Sequence, residues 1–174
     1  MNAVRKFPRK PLSPEAAYVK ASALCARCEQ ASGDIYGKLV GWGLSTEDAH
    51  KVVQRLMADN FISDQRYARA YCRDKMRFNG WGRIKVAFML KTKGIDKACI
   101  ETVLAEVDEA EYARTLRHLL DTKWREVCHK DALKARASLM RFAASRGFEP
   151  HLFNPMIEDV MSHHQDEESP STLI

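Results

Sequence analysis

The sequence predicts an all-α protein built from three tandem three-helix repeats, and three observations carry that prediction. Helical periodicity runs through nearly the whole chain, and no stretch alternates polar and apolar residues as a strand would. Only eight glycines and six prolines punctuate the 174 residues, several of them where a helix would end. One pattern then occurs three times, each copy opening on a glycine: GLSTEDAHKVVQRLM from Gly43, GIDKACIETVLAEV from Gly94 and GFEPHLFNPMIEDVM from Gly147.

Counted from each glycine, the next residue is apolar (Leu44, Ile95, Phe148) and the one after it polar (Ser45, Asp96, Glu149). Four further positions are apolar in every copy: Ala49, Val52, Val53 and Leu56; Ile100, Val103, Leu104 and Val107; Phe153, Met156, Ile157 and Val160. This spacing keeps one apolar stripe on a helix face. The glycine can take the left-handed conformation that closes the preceding helix, and Ser45 or Asp96 can cap the next. Pro155 strains the third copy and is expected to kink or delay its helix. RYARAY from Arg66 and EYARTL from Glu111 give a second echo, in the first helix of the second and third repeats. A single helical bundle with a coincidental pattern is the alternative.

Helices are expected over 14–31, 34–41 and 45–59, then 64–78, 82–92 and 96–107, then 109–127, 130–145 and 149–163. The repeats are accordingly 14–60, 61–108 and 109–164, between a flexible basic arm (1–13) and an acidic, disordered tail (165–174). Glycines 51 and 53 residues apart imply units too small to bury a core alone, so neighbours must stack.

Composition narrows the class. Hydrophobic residues make up 45% of the chain, yet no apolar run is long enough to cross a bilayer. The start, MNAVRKFPRKPLS, is basic without the apolar core of a signal peptide, and five cysteines in no regular framework suit a reducing compartment. The expectation is a soluble cytoplasmic protein. Net charge is +5, concentrated from Gln65 to Lys93, where nine Lys or Arg face one acid, Asp74. Such a block suggests a polyanionic or acidic partner, although solvated helix faces share this look.

On the helix 64–78, Tyr67, Tyr71 and Phe78 share one arc and are expected to pack inward. Arg66, Arg73 and Arg77 share another arc, with Arg69 at its flank; the next helix adds Arg83, Lys85, Lys91 and Lys93. Arginine forks pair with phosphates and carboxylates, so the stripe could hold DNA or an acidic protein surface. Its plain alternative is a solvated face with Asp74 paired to a neighbouring arginine. Gly80-Trp81-Gly82 is no phosphate loop, because the third glycine, the strand and the Gly-Lys-Ser/Thr ending are missing. It reads as turn chemistry, with Trp81 over a helix junction.

The segment ISDQRYARAYCRDKMRFNGWGRIKVAFMLKTKGI resembles the RecX family of bacterial recombination regulators. The resemblance rests on Asp64, Tyr67, Ala68, Arg73, Gly80, Gly82, Arg83, Ile84, Leu90, Lys93, Gly94 and Ile95, and runs most closely from Phe61 to Val107. Met89 stands where the family commonly has an acid, and a proline often seen near the glycine turn is absent. The resemblance implies an elongated, curved helical body that lies along the RecA filament on single-stranded DNA. It would suppress ATP hydrolysis, strand exchange and co-protease activity. A regulator acting so needs no catalytic residue; a monomer without cofactor or membrane contact is expected. Arg66, Arg69, Arg73, Arg77, Arg83, Lys85, Lys91 and Lys93 are then the expected contacts to RecA acids or DNA phosphates.

Two other readings compete. Short three-helix units also suit a stand-alone helical DNA-binding module, whose affinity would fall steeply with salt. A metal protein or enzyme is the third reading. Cys25-x-x-Cys28 lacks a second ligand pair and is expected inside a helix, so buried thiols are the better account of it. Cys72, Cys99 and Cys128 sit singly in helical patterns, and His163-His164 falls at an expected fraying end. No grouping of catalytic type stands out.

Overall fold

The structure, a computed structural model, describes residues 11–167. Nine helices and no strand form among the described residues: α1 Pro14–Cys25, α2 Ser32–Gly41, α3 Thr46–Ala58, α4 Asp64–Asn79, α5 Arg83–Thr92, α6 Lys97–Ala105, α7 Glu109–Val127, α8 Ala132–Arg146 and α9 Pro150–Glu167.

The glycine pattern has one physical cause, met three times. Gly43, Gly94 and Gly147 hold φ of 92°, 80° and 80°, the left-handed region that a β-carbon disfavours. Each closes a middle helix with the same pair of hydrogen bonds. The glycine amide donates to Val40, Lys91 and Ala144 carbonyls at 2.9, 3.0 and 2.9 Å. The following amides of Leu44, Ile95 and Phe148 donate to Leu39, Leu90 and Ala143, each at 3.2 Å. This is the Schellman geometry, and the apolar residue after each glycine, Leu44, Ile95 or Phe148, is buried.

Polar caps start the helices. Ser45 Oγ accepts from the Asp48 amide at 3.0 Å, Asp96 from Ala98 at 2.9 Å and Asp108 from Glu111 at 2.8 Å. Pro155 does not delay its helix: α9 begins at Pro150 and continues through it. Glu149 supplies the opening carbonyl, to Leu152 and Phe153, while Phe153, Ile157 and Val160 are buried. That apolar face holds the helix together across the missing donor.

Helix boundaries differ from expectation most at the first helix. The first helix stops at Cys25 rather than 31, and Cys28 lies exposed in the turn beyond it. Of the arm, residues 1–10 lie outside the described residues; Leu12 is held by its amide on the Trp42 carbonyl at 3.1 Å. Of the tail, 168–174 lie outside them, and α9 reaches Glu167.

The described residues gather into two compact bodies. One comprises the residues up to Ala70 with Leu90–Ile100, the other Tyr71–Met89 with Glu101 onward. In the first, α1, α2 and α3 pack around Ala17, Ala21, Ile35, Leu39, Val52 and Leu56. In the second, α7, α8 and α9 pack around Leu116, Leu120, Leu139, Phe148, Phe153 and Ile157. Helices α4, α5 and α6 each contribute residues to both bodies.

Candidate functional site

The cationic block lies on α4 and α5. Ala68 and Cys72, one turn apart, set the inward direction of α4 and are buried, with Tyr67, Tyr71 and Met76 half-buried beside them. Arg66, Arg69, Arg73 and Arg77 lie exposed, as the stripe predicts. Phe78 corrects the expectation that the aromatics all pack inward, because it is 75% exposed. Its angular position follows Tyr67, but it lies roughly 100° from the Ala68–Cys72 direction, in the last turn of the helix.

The eight expected contact residues divide into two sets. Four are held by the fold. Arg66 Nε pairs with Glu29 at 2.7 Å and its Nη2 donates to the Asn60 carbonyl at 3.0 Å. Lys93 pairs with Asp34 at 2.7 Å, close to the Tyr67 ring. That hydrogen bond to Asp34 raises the Lys93 pKa against the opposing cost of burial. Lys85 donates to the Ser145 carbonyl at 3.2 Å and covers the Trp81 ring at 4.7 Å.

Arg83 is the most committed of the eight. Its guanidinium lies 4.3 Å from the centre of the Tyr112 ring and bonds Glu109 at 2.6 Å and Glu149 at 3.4 Å. Its backbone amide donates to the Tyr112 hydroxyl at 2.9 Å, and that hydroxyl donates to Glu149 at 2.6 Å. Burial disfavours the charge on Arg83, but the Glu109 hydrogen bond and the two carboxylates outweigh it and raise its pKa. Burial and the Glu149 carboxylate likewise push the Tyr112 phenol up. The arrangement ties the start of α5 to α7 and α9.

The other four cations face outward. Arg69, Arg73, Arg77 and Lys91 are exposed. Arg73 meets Asp74 at 3.4 Å with both side chains largely in water, the kind of pair that contributes little. The guanidinium of Arg77 lies 5.6 Å from the Phe78 ring centre. Chemically, the exposed faces of α4 and α5 offer cations beside the large apolar side chains of Phe78, Ile84 and Phe88, all more than half exposed.

Two features escaped the sequence. Asp64, read as the opener of α4, turns its carboxylate to the start of α2, accepting from the Ser32 amide at 2.8 Å and hydroxyl at 2.6 Å. The exposure of Ile84 and Phe88 is the second. A signal existed for it, since lining up the middle helices by their closing glycines leaves large apolar residues at those places in the central copy alone.

The thiols also divide. Cys25 and Cys72 are buried, whereas Cys28 and Cys128 are exposed, so the reading of buried thiols holds only for part of the set. Burial pushes the Cys72 thiol up to about 11. Among the described residues no three His, Cys, Asp or Glu side chains converge to hold a metal ion, and no helix is long and apolar enough to cross a membrane.

Comparison with known proteins agrees with this architecture. The family model described as RecX, second three-helix domain, matches residues 63–104, the stretch from the α4 cap into α6. The regulatory protein RecX of Mycobacterium leprae (strain Br4923) is 29% identical over 134 residues, covering 74% of this chain and 78% of the relative. That of Prosthecochloris aestuarii (strain DSM 271 / SK 413) is 28% identical over 135 residues, covering 78% and 87%. The crystal structure of RecX from Lactobacillus salivarius superposes with a TM-score of 0.76 at 17% identity, covering 84% of this chain and 96% of that one. With its three glycine-closed middle helices and the matched cationic segment at its centre, the chain is similar to the RecX regulatory proteins over about three quarters of its length and shares their helical fold.

Proposed function

We propose that this protein binds the RecA filament on single-stranded DNA and restrains its ATP hydrolysis, strand exchange and co-protease activity. It does so as a cytoplasmic monomer without chemistry of its own. The observation that carries the reading is the outward set Arg73, Arg77 and Lys91: exposed cations in the segment that the family model matches. Cations on an exposed helix face can meet phosphates or acids of another protein. The sequence repeats 14–60, 61–108 and 109–164 would present such contacts to successive filament protomers.

No catalytic group is needed for such a regulator. A protein that binds one filament state more tightly than another shifts the balance by that difference in affinity. Reversing Arg73 and Arg77 to glutamate tests the reading on preformed filaments. The expected result is filament binding weakened by about tenfold or more, with helix content unchanged. Unaltered binding by the folded double variant would discard these residues as contacts. Tight, sequence-selective binding to duplex DNA without RecA would instead favour the stand-alone DNA-binding module.

A further inference from the structure

The solvent face of α5 carries an apolar strip that the rest of the fold does not require. Ile84, Phe88 and Lys91 fall at i, i+4 and i+7, which stacks them along one side of the helix. Val86 and Leu90, on the opposite side, are fully buried. Ile84 is 53% exposed and Phe88 64%.

The three Schellman turns give a register for comparing the middle helices. Ten, six and three residues before Gly94 stand Ile84, Phe88 and Lys91. The same steps before Gly43 reach Gly33, Gly37 and Val40, and before Gly147 they reach Ala137, Arg141 and Ala144. Neither of the other helices has a bulky apolar side chain at the first two places. The repeat is built without one, so the pair on α5 is not there to close the core. Exposed bulky apolar residues in a row are the mark of an interaction surface.

Charge decides what would cover it. Helix α5 has three ionisable residues, Arg83, Lys85 and Lys91, and no acid. Arg83 turns to Glu109 and Glu149, and Lys85 to the Ser145 carbonyl, so neither stands ready for a phosphate beside the strip. Ile84 offers no ring face on which a base could stack. What remains outward is aliphatic, aromatic and then cationic, which fits a protein surface better than a nucleic-acid strand.

We propose that Ile84, Phe88 and Lys91 form a docking strip for a protein partner that presents an apolar ridge ending in a carboxylate. This rests on the function proposed above, under which the partner is a RecA protomer within the filament. The apolar pair supplies the anchor and Lys91 fixes the direction in which the ridge lies.

The test compares wild type, I84S/F88S and K91E on a labelled oligo(dT) strand, bare and coated with RecA held by a slowly hydrolysed ATP analogue. All three substituted residues are exposed, so circular dichroism and melting should match wild type. The expected result is about tenfold weaker or poorer binding of I84S/F88S to the filament with unchanged behaviour of that variant on the bare strand, and a smaller filament loss for K91E. Filament binding equal to wild type by the folded I84S/F88S variant overturns the strip. An equal loss on bare and coated strands overturns it too and assigns the face to nucleic acid. Failure of the wild type itself to bind the coated strand removes the function proposed above, a result distinct from either.

Discussion

The amide of Gly82, at the start of α5, donates to the carbonyl of Arg146, at the end of α8, at 2.8 Å. The next turn of the same junction places the Ile84 amide 3.0 Å from the Gly147 carbonyl. Donors left open at one helix start thus meet carbonyls left open at another helix end, which satisfies both. The approach is close enough that a β-carbon on Gly82 would overlap the Gly147 carbonyl, which is backbone and cannot swing away.

Two glycine substitutions should therefore move stability in opposite directions. Gly82→Ala should cost about 1–3 kcal/mol through overpacking at this junction. Gly37→Ala, inside α2 with nothing within 4 Å of the added carbon, should stabilise by about 0.5–1 kcal/mol. Urea denaturation of both variants checks the signs.

Arginines of one block should behave unlike one another. Arg83→Ala strips partners from Glu149 and from the Tyr112 ring, and should lower stability by about 2–4 kcal/mol. Arg73→Ala touches only an exposed pair and should fall within about 0.5 kcal/mol of wild type. Paired denaturation curves measure the difference.

Alkaline stability should carry the signature of Cys72. Burial raises its folded pKa from 9.0 to about 11, so as pH rises the unfolded chain gives up this proton first. The contribution is fully present below about pH 9 and is lost as pH climbs through about 11, amounting to about 2–3 kcal/mol. Cys72→Ala should be less stable at neutral pH but lose less between those limits. Stability curves for the two proteins across that window provide the check.

Local chemistry was legible in the sequence, and long-range chemistry was not. The positive-φ glycines, the caps at Ser45 and Asp96 and the exposed arginine stripe all follow from a few neighbouring residues. The early end of α1 does not. The residues after Cys25 remain good helix formers, and α2 opens where Asp64, 32 residues on, caps Ser32. Arg83 stands among the expected contacts because its own helix says nothing of Tyr112 in α7 or of Glu149 just before α9. Phe78 was read as inward from its arc alone, although Ala68 and Cys72 set the buried direction.

The most direct measurement is RecA ATP hydrolysis on single-stranded DNA, with this protein titrated into preformed filaments of RecA from the same organism. The account predicts a fall in hydrolysis at protein levels well below those of RecA, weakened by salt and by the Arg73 and Arg77 reversals. Unchanged hydrolysis, with the protein shown to be folded, would contradict it.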